Sequence, residues 1–567
     1  MPRQVVSWFW LWAASLALSL GWLLPNNSPP WLSFHKDAWI GLILAVVSFW
    51  VLWPRLVRSQ VQVLTLVVAV FSLIPMIQHV TGMVPVFGVA WMQSLYLLGF
   101  ALALQTGATW EKLTKAQAAD FVFLALGIGA LVSCAIAFHQ WLGLRTGMNE
   151  WILNSVISNR YYANLAQPNL LGSLLLLGVI ASAWAHWRQK VRGWLVWSIA
   201  VVLLFGVVLT GSRTAWLNMM ILVVGAMLCR SKLPHQSYLR AIFGLAIATV
   251  LFVVSLPNIN AFLGISEDQI PIEYRSLKDV RLEAWVMLFD AALERPWAGY
   301  GWGQVGAANF SVLGRYPEQG AIFAHSHNLI LDLILWNGFP VGLSVSALLG
   351  FLLFVLLRRN LGFEQIILTA MVAVLATHAM LEFPLQYAYF LLPLGLVLGS
   401  LSTMLSFRPV FEMSPIVNLL VWSIAVLAMA ITVMDYFKAE TSMYGLRFED
   451  RGIQTTIPKT PPEVLVLTQF HDSIKLARNV PRAGVSEDEL RAMRNIVLVM
   501  PSALTMQKLA ANLALNGHEK EAVEWLRNGC KSTLPVVCQM MERRWSILAE
   551  SNPGLLRAPW PVEYRSK

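Results

Sequence analysis

The sequence predicts an all-α polytopic membrane protein of about 13 transmembrane helices. A long extracytoplasmic loop with amphipathic helices and a small helical C-terminal domain complete it. Three observations predict this class. Hydrophobic residues make up 57% of the 567 positions and charged residues only 13%, with 25 tryptophans, a composition that no ordinary soluble protein of this length has. Apolar runs recur at about 8–24, 38–53, 61–78, 89–105, 119–142, 168–187, 194–210, 214–230, 241–257, 339–357, 365–381, 385–406 and 416–434. They hold almost no Lys, Arg, Asp or Glu, as expected when each mid-bilayer charge costs about 2.5–3.5 kcal/mol on insertion scales. Finally, the basic residues alternate from one side to the other in step with those runs.

The first run, 8–24, is read as an uncleaved span, because many more follow and no convincing cleavage site does. With the N-terminus inside, the cytoplasmic segments hold Arg3, Arg55, Arg58, Lys112, Lys115, Arg188, Lys190, Arg192, Arg230, Lys232, Arg240, Arg358, Arg359 and Arg408. The short outer loops hold only Lys36, Arg145, Arg160 and Arg213, a consistent positive-inside bias. The long loop 258–327 and the tail beyond about Asp435 then lie outside the cytoplasm, which in a bacterium is the periplasm, with the spans in the inner membrane. The net charge of +10 belongs to this orientation signal; no basic surface interleaved with aromatics suggests nucleic acid.

The run 328–357 is about 45 Å long as one helix, too long for one upright crossing. Asn337-Gly338 offers a stop and Pro340 suits the first turn of a new helix, so the run is split. A short amphipathic helix bearing His327 and Asn328 lies at the lipid boundary, and a span follows. Four segments result: a membrane bundle over 1–257, the loop 258–338, further membrane helices over 339–435, and a helical domain over 436–567.

In that last segment, 502–528 reads as two short helices around Gly517. The spacing resembles one tetratricopeptide-like hairpin, and a plain helical hairpin fits equally. Of four cysteines, Cys134 and Cys229 fall in spans as small apolar residues. Cys530 and Cys538, both in the outer tail, are expected to form a disulfide in an oxidising compartment.

No nucleotide-binding G-x-x-x-x-G-K-[ST], no H-E-x-x-H and no Cys/His cluster of zinc spacing is present. There is also no D-x-D of the kind that holds a metal with a nucleotide-sugar, so no metal and no cofactor is implied, and any substrate must arrive already activated. What the chain offers instead collects at the outer mouth of the bundle. Gln167 precedes Pro168-Asn169; Arg213 opens a span in Thr210-Gly211-Ser212-Arg213; Arg281 and Trp285 lie on an amphipathic helix of the long loop; His325-Ser326-His327-Asn328 ends that loop. Taken singly, Arg213 fits a headgroup anchor, Arg281 a surface ion pair, Gln167 a helix cap and the two histidines a satisfied structural pair. Together, two guanidinium groups and two helix N-termini suit a pyrophosphate, and an imidazole suits proton transfer.

These motifs, with Gly299-Tyr300-Gly301-Trp302-Gly303 and Glu382-Phe383-Pro384-Leu385-Gln386-Tyr387, resemble the PglL-type O-linked oligosaccharyltransferases. Those enzymes share a superfamily with O-antigen ligases and Wzy-like O-antigen polymerases. The resemblance covers essentially the whole membrane part, and the tail resembles that group's periplasmic C-terminal domain. It implies a GT-C-like fold and en bloc transfer of a glycan from undecaprenyl pyrophosphate to Ser or Thr hydroxyls of periplasmic proteins such as pilins. It further implies catalytic roles for His327 or the adjacent His325, with Gln167 and Tyr387 tied to activity. Arg213 and Arg281 match pyrophosphate-engaging arginines, and Asn169 and Asn328 lie in the substrate-binding motifs.

Two rivals remain. One is a ligase or polymerase of the same superfamily, acting on lipid A–core or on repeat units; the tail, Q-P-N and F-P-x-x-Y favour a protein acceptor. The other is a transporter or flippase, against which stand the rim placement of the polar groups and the odd span count.

Overall fold

A computed structural model describes residues 7–53, 58–153, 160–265, 280–359 and 361–565. Arg3 and Arg55 of the charge pattern, and 266–279 of the long loop, lie outside the described residues.

Apolar runs become helices because, in lipid, a backbone must satisfy its own N–H and C=O groups. In order these are α1 (Trp8–Leu23), α2 (Phe34–Leu52), α3 (Val63–Phe71), α4 (Ile74–Val80), α5 (Phe87–Leu113), α6 (Gln117–Trp141), α7 (Pro168–Trp187), α8 (Gly193–Thr210), α9 (Arg213–Leu228) and α10 (Gln236–Phe262). The long loop forms α11 (Val280–Glu294) and α12 (Val305–Val312), and then come α13 (Leu329–Arg358), α14 (Phe363–Ala379), α15 (Ala388–Met404) and α16 (Pro415–Glu449). The tail folds as α17 (Thr468–Arg478), α18 (Glu487–Val499), α19 (Ala503–Leu515), α20 (Glu519–Lys531) and α21 (Pro535–Ser551). Among the described residues nine helices are long and apolar enough to cross a membrane, with α3 and α4 taken together as one. Four shorter apolar helices, α1, α9, α14 and α15, accompany them.

The chain forms two compact units. The first holds residues 1–70, 96–277 and 351–429. Its core is a continuous apolar interior in which α6 packs on α1 and α7, and α7 on α8, around Trp22, Phe121, Leu126, Leu171, Leu175 and Leu203. Helices α5 and α15 cross at small residues: a Cβ at Gly107 would lie 2.1 Å from the Leu396 carbonyl oxygen, and one at Gly399 2.1 Å from that of Leu104. Glycine at both positions is what lets the two backbones touch, as in other membrane helix pairs. A two-stranded antiparallel ribbon, β1 (Ser59–Val61) against β2 (Phe411–Met413), pairs Gln60 with Glu412.

The second unit holds 71–95, 278–350 and 430–567. Its tail helices bury Leu490, Met506, Leu509, Leu513, Leu526 and Trp545. The α19–α20 hairpin has a Ser502–Thr505 capping box at its start and Gly517, at φ +86°, in its turn. Cys530 and Cys538 are bonded, with Cα atoms 4.8 Å apart. Beside them, Lys531 Nζ donates to the carbonyls of Leu313, Gly314 and Tyr316 at 3.0–3.2 Å, using all three of its hydrogens. Its own carbonyl accepts from the N–H groups of Gln319 and Gly320.

Helix α13 is broken at Gly338, which has φ +75° and ψ 171°, two residues before Pro340. The segment after α11 lies against that break. The Tyr300 N–H donates to the Leu335 carbonyl at 2.7 Å, and the Phe339 N–H to that of Pro296 at 2.7 Å. A Cβ on Gly338 would meet the Trp297 backbone at 2.4 Å, so both conformation and space require glycine there. Trp302 stacks on Trp336 at 4.5 Å and donates to Asn337 Oδ1 at 2.9 Å, which assigns the Gly-Tyr-Gly-Trp-Gly segment to holding the break.

Candidate functional site

The histidine motif is a tight turn in the second unit. Ser326, fully buried, is its centre. The Ser326 N–H donates to Asp332 Oδ1 at 2.8 Å, and its hydroxyl donates to the Asn328 carbonyl at 2.8 Å and accepts from the Asn328 N–H at 3.2 Å. With Ser326 turned inward, His325 and His327 flank it; both rings keep an exposed edge, but the His325 Nδ1 is buried. His327 adopts φ +58°, a left-handed conformation uncommon outside glycine and concentrated at functional positions. Its ring meets Phe323 edge-on at 6.3 Å.

The helix expected to carry His327 and Asn328 begins at Leu329 instead. Asn328 is its N-cap, with Oδ1 accepting from the N–H groups of Ile330 and Leu331 at 3.1 and 3.2 Å. Trp285, one turn beyond Arg281 on α11, donates from Nε1 to the Ser326 carbonyl at 2.8 Å. Burial pushes the His325 imidazole down to about 4, with His327 adding to the effect, so His325 is neutral near pH 7.

The first unit builds a second polar cluster where α7 and α9 begin. Pro168 occupies the first turn of α7, with Gln167 as extended N-cap. Asn169 Nδ2 donates to Glu382 Oε1 at 2.8 Å, and Gln167 Nε2 to Glu382 Oε2 at 3.3 Å. Asn169 Oδ1 accepts from Ser212 Oγ at 2.8 Å and Arg160 Nη2 at 3.1 Å. Ser212 in turn caps α9 by accepting from the Ala215 N–H at 3.1 Å, which sets Arg213, an exposed residue, at the head of that helix. Tyr387 lies in the turn into α15 with its ring stacked on Tyr389 at 5.0 Å. The next N–H, of Ala388, donates to the buried Asp37 of α2 at 2.7 Å; Asp37 also accepts from Tyr96 at 2.8 Å.

The eight candidate residues therefore divide evenly. Gln167, Asn169, Arg213 and Tyr387 belong to the first unit; Arg281, His325, His327 and Asn328 belong to the second. Sequence reasoning gave no role to Glu382, Arg160, Ser212, Asp37, Asp332 or Trp285. Glu382 was the most findable, as a lone carboxylate at a span end with amides at the start of another. Among the described residues no three of His, Cys, Asp and Glu converge as metal ligands do.

Comparison with known proteins bears on both clusters. Residues 198–346, which include Arg213, Arg281 and the histidine turn, match the family described as O-Antigen ligase. Residues 366–531, which include Glu382 and Tyr387, match the family described as Virulence factor membrane-bound polymerase, C-terminal. A general O-oligosaccharyltransferase of Acinetobacter baylyi is 29% identical over 532 residues, 92% of this chain and 91% of that protein. The chain is similar to O-oligosaccharyltransferases. A ComP-specific O-oligosaccharyltransferase of the same organism is 30% identical over 274 residues, 48% of this chain and 49% of that protein. The similarity to the general O-oligosaccharyltransferase thus takes in membrane helices and tail alike. No solved structure matches.

Proposed function

We propose that this protein is an oligosaccharyltransferase that moves a glycan en bloc from undecaprenyl pyrophosphate to Ser or Thr hydroxyls of periplasmic proteins, pilin-like ones among them. The similarity to a general O-oligosaccharyltransferase over 92% of the chain carries this reading. The nine long and four shorter apolar helices would then give thirteen crossings of the bacterial inner membrane. The N-terminus would be cytoplasmic, and the histidine turn and tail periplasmic.

A glycosyl pyrophosphate is already a competent donor, so no covalent intermediate is required. His327 accepts the proton of the acceptor hydroxyl as that oxygen attacks the anomeric carbon, a role worth about 10²–10⁴ in rate. The sugar–phosphate bond breaks, and Arg213 and Arg281 stabilise the charge growing on the departing pyrophosphate. Gln167 and Tyr387 orient the reactants. The chemistry asks for no metal and no cofactor.

The test is reconstitution with a lipid-linked oligosaccharide and a panel of acceptors. Glycosylated protein is expected from the wild type and not from His327→Ala. Full activity in that variant overturns the base assignment. Transfer only to lipid A–core supports the second reading, an O-antigen ligase, which the match of residues 198–346 favours.

A further inference from the structure

The first unit contains a cavity of about 910 Å³ that no part of the transfer chemistry uses. Its walls are the C-terminal halves of α7 and α9, the N-terminal parts of α8 and α10, the length of α14 and Leu353 of α13, represented by Ile180, Ala200, Leu222, Ile242, Leu245 and Ile366. It therefore occupies the end of the bundle opposite Gln167, Asn169 and Arg213, which stand at the starts of α7 and α9. Trp197, Val224, Leu228 and Leu353 of its lining are exposed, so the cavity opens sideways as an apolar groove that an acyl chain can enter.

The cavity's rim is cationic. Lys232, Arg359 and His186 line it, with Ser237 and Tyr238 beside them. Among the described residues Lys232 Nζ donates to the Arg359 carbonyl at 3.2 Å, and an ammonium group has three hydrogens to give. The Arg359 guanidinium stacks over Phe407 at 4.8 Å and donates to the Leu405 carbonyl, which fixes its position without neutralising it. Among the described residues the carboxylates at this end have other partners, Glu412 accepting from Gln60 at 3.3 Å. Asp120 takes two bonds from Arg188 at 3.0 Å, Glu364 lies 3.7 Å from the same arginine, and Glu111 accepts from the Ala116 N–H. Arg230, Arg240 and Arg358 in the flanking segments add to the positive potential.

We propose that this cavity is a binding site for an anionic diacyl phospholipid, with acyl chain in the apolar pocket and phosphate on Lys232 and Arg359. Basic rims on pockets between membrane helices recognise lipid headgroups in this way. The ligand is a resident of the membrane rather than a reactant, and the proposal stands apart from the transfer reading.

The test uses the full-length protein in nanodiscs of phosphatidylcholine with a minor fraction of phosphatidylglycerol, then release and native mass spectrometry to count retained lipid. Wild type should retain phosphatidylglycerol well above its share of the mixture. A double variant, Lys232→Gln with Arg359→Gln, should retain it about 30-fold less, roughly fivefold for each charge removed. Ala373→Phe, which narrows the cavity from α14 and leaves the rim charges in place, should lower retention. Equal retention of the two lipids by the wild type overturns the proposal, as does wild-type retention by the double variant. A co-purifying isoprenoid phosphate in place of phospholipid also overturns it.

Discussion

Trp285 holds Ser326: the indole N–H of α11 donates to the carbonyl at the centre of the histidine turn, 2.8 Å away. The turn's other side is fixed by Asp332, so the peptide between the two histidines is gripped by a donor and an acceptor from two different helices. Trp285→Phe keeps the ring and removes the donor, leaving a carbonyl at the turn's centre unmatched at a cost of about 1–3 kcal/mol. We expect transfer to fall by about an order of magnitude, with kcat carrying the loss and KM for the lipid-linked donor little changed. Steady-state kinetics on the folded variant check this.

Glu382 should be energetically coupled to Gln167 and Asn169. It is buried and accepts from both amides, so Glu382→Ala leaves both donors without their acceptor. A double-mutant cycle of Glu382→Ala with Asn169→Ala should give a coupling of about 1–3 kcal/mol by thermal or denaturant unfolding in detergent. Additive effects would show that the pair does not act as a unit.

The depressed His325 fixes a sign for pH dependence. The unfolded chain binds its proton below about 6.5, whereas the folded protein resists it until about 4. The unfolded state therefore holds more protons between those values, and stability falls as pH is lowered through that window. Melting temperature should decline from pH 6.5 toward 4, and His325→Gln should flatten part of the decline. An unchanged slope in the variant would assign the acid sensitivity to other groups.

The Cys530–Cys538 bridge closes a short loop, with a sequence separation of 8. Chain-entropy arguments give such a closure roughly 2–3 kcal/mol. Cys530→Ser with Cys538→Ser should lower the melting temperature of the tail, followed by hydrogen exchange of the peptides that hold Trp525 and Trp545, both buried in that core. Reduction of the wild type should produce the same shift.

Much of this fold was legible because lipid imposes one rule on every span. Apolar runs had to be helices, Gly338 and Pro340 marked the break in α13, and Gly517 marked the tail hairpin. Helix ends were less legible: α5 runs to Leu113 and α16 to Glu449, well past their apolar stretches. Hydropathy reports where hydrocarbon stops, whereas the hydrogen-bond ladder continues into water. Within the candidate site, the residues with reactive side chains were visible from motif alone. Their supports were not, because Asp37 and Ala388 meet across 351 positions of sequence, and Glu382 reaches Asn169 across 213. Asn328 shows the converse, a motif residue whose side chain caps a helix.

The ammonium group of Lys531, seated on three peptide oxygens of the turn that leads toward the histidines, makes the C-terminal helices a splint and not an appendage. A chain truncated before that lysine would keep every reactive group of the motif yet lose the brace that steadies its approach. Inactivity on trimming the tail would then reflect a slackened loop as much as a missing partner-binding surface.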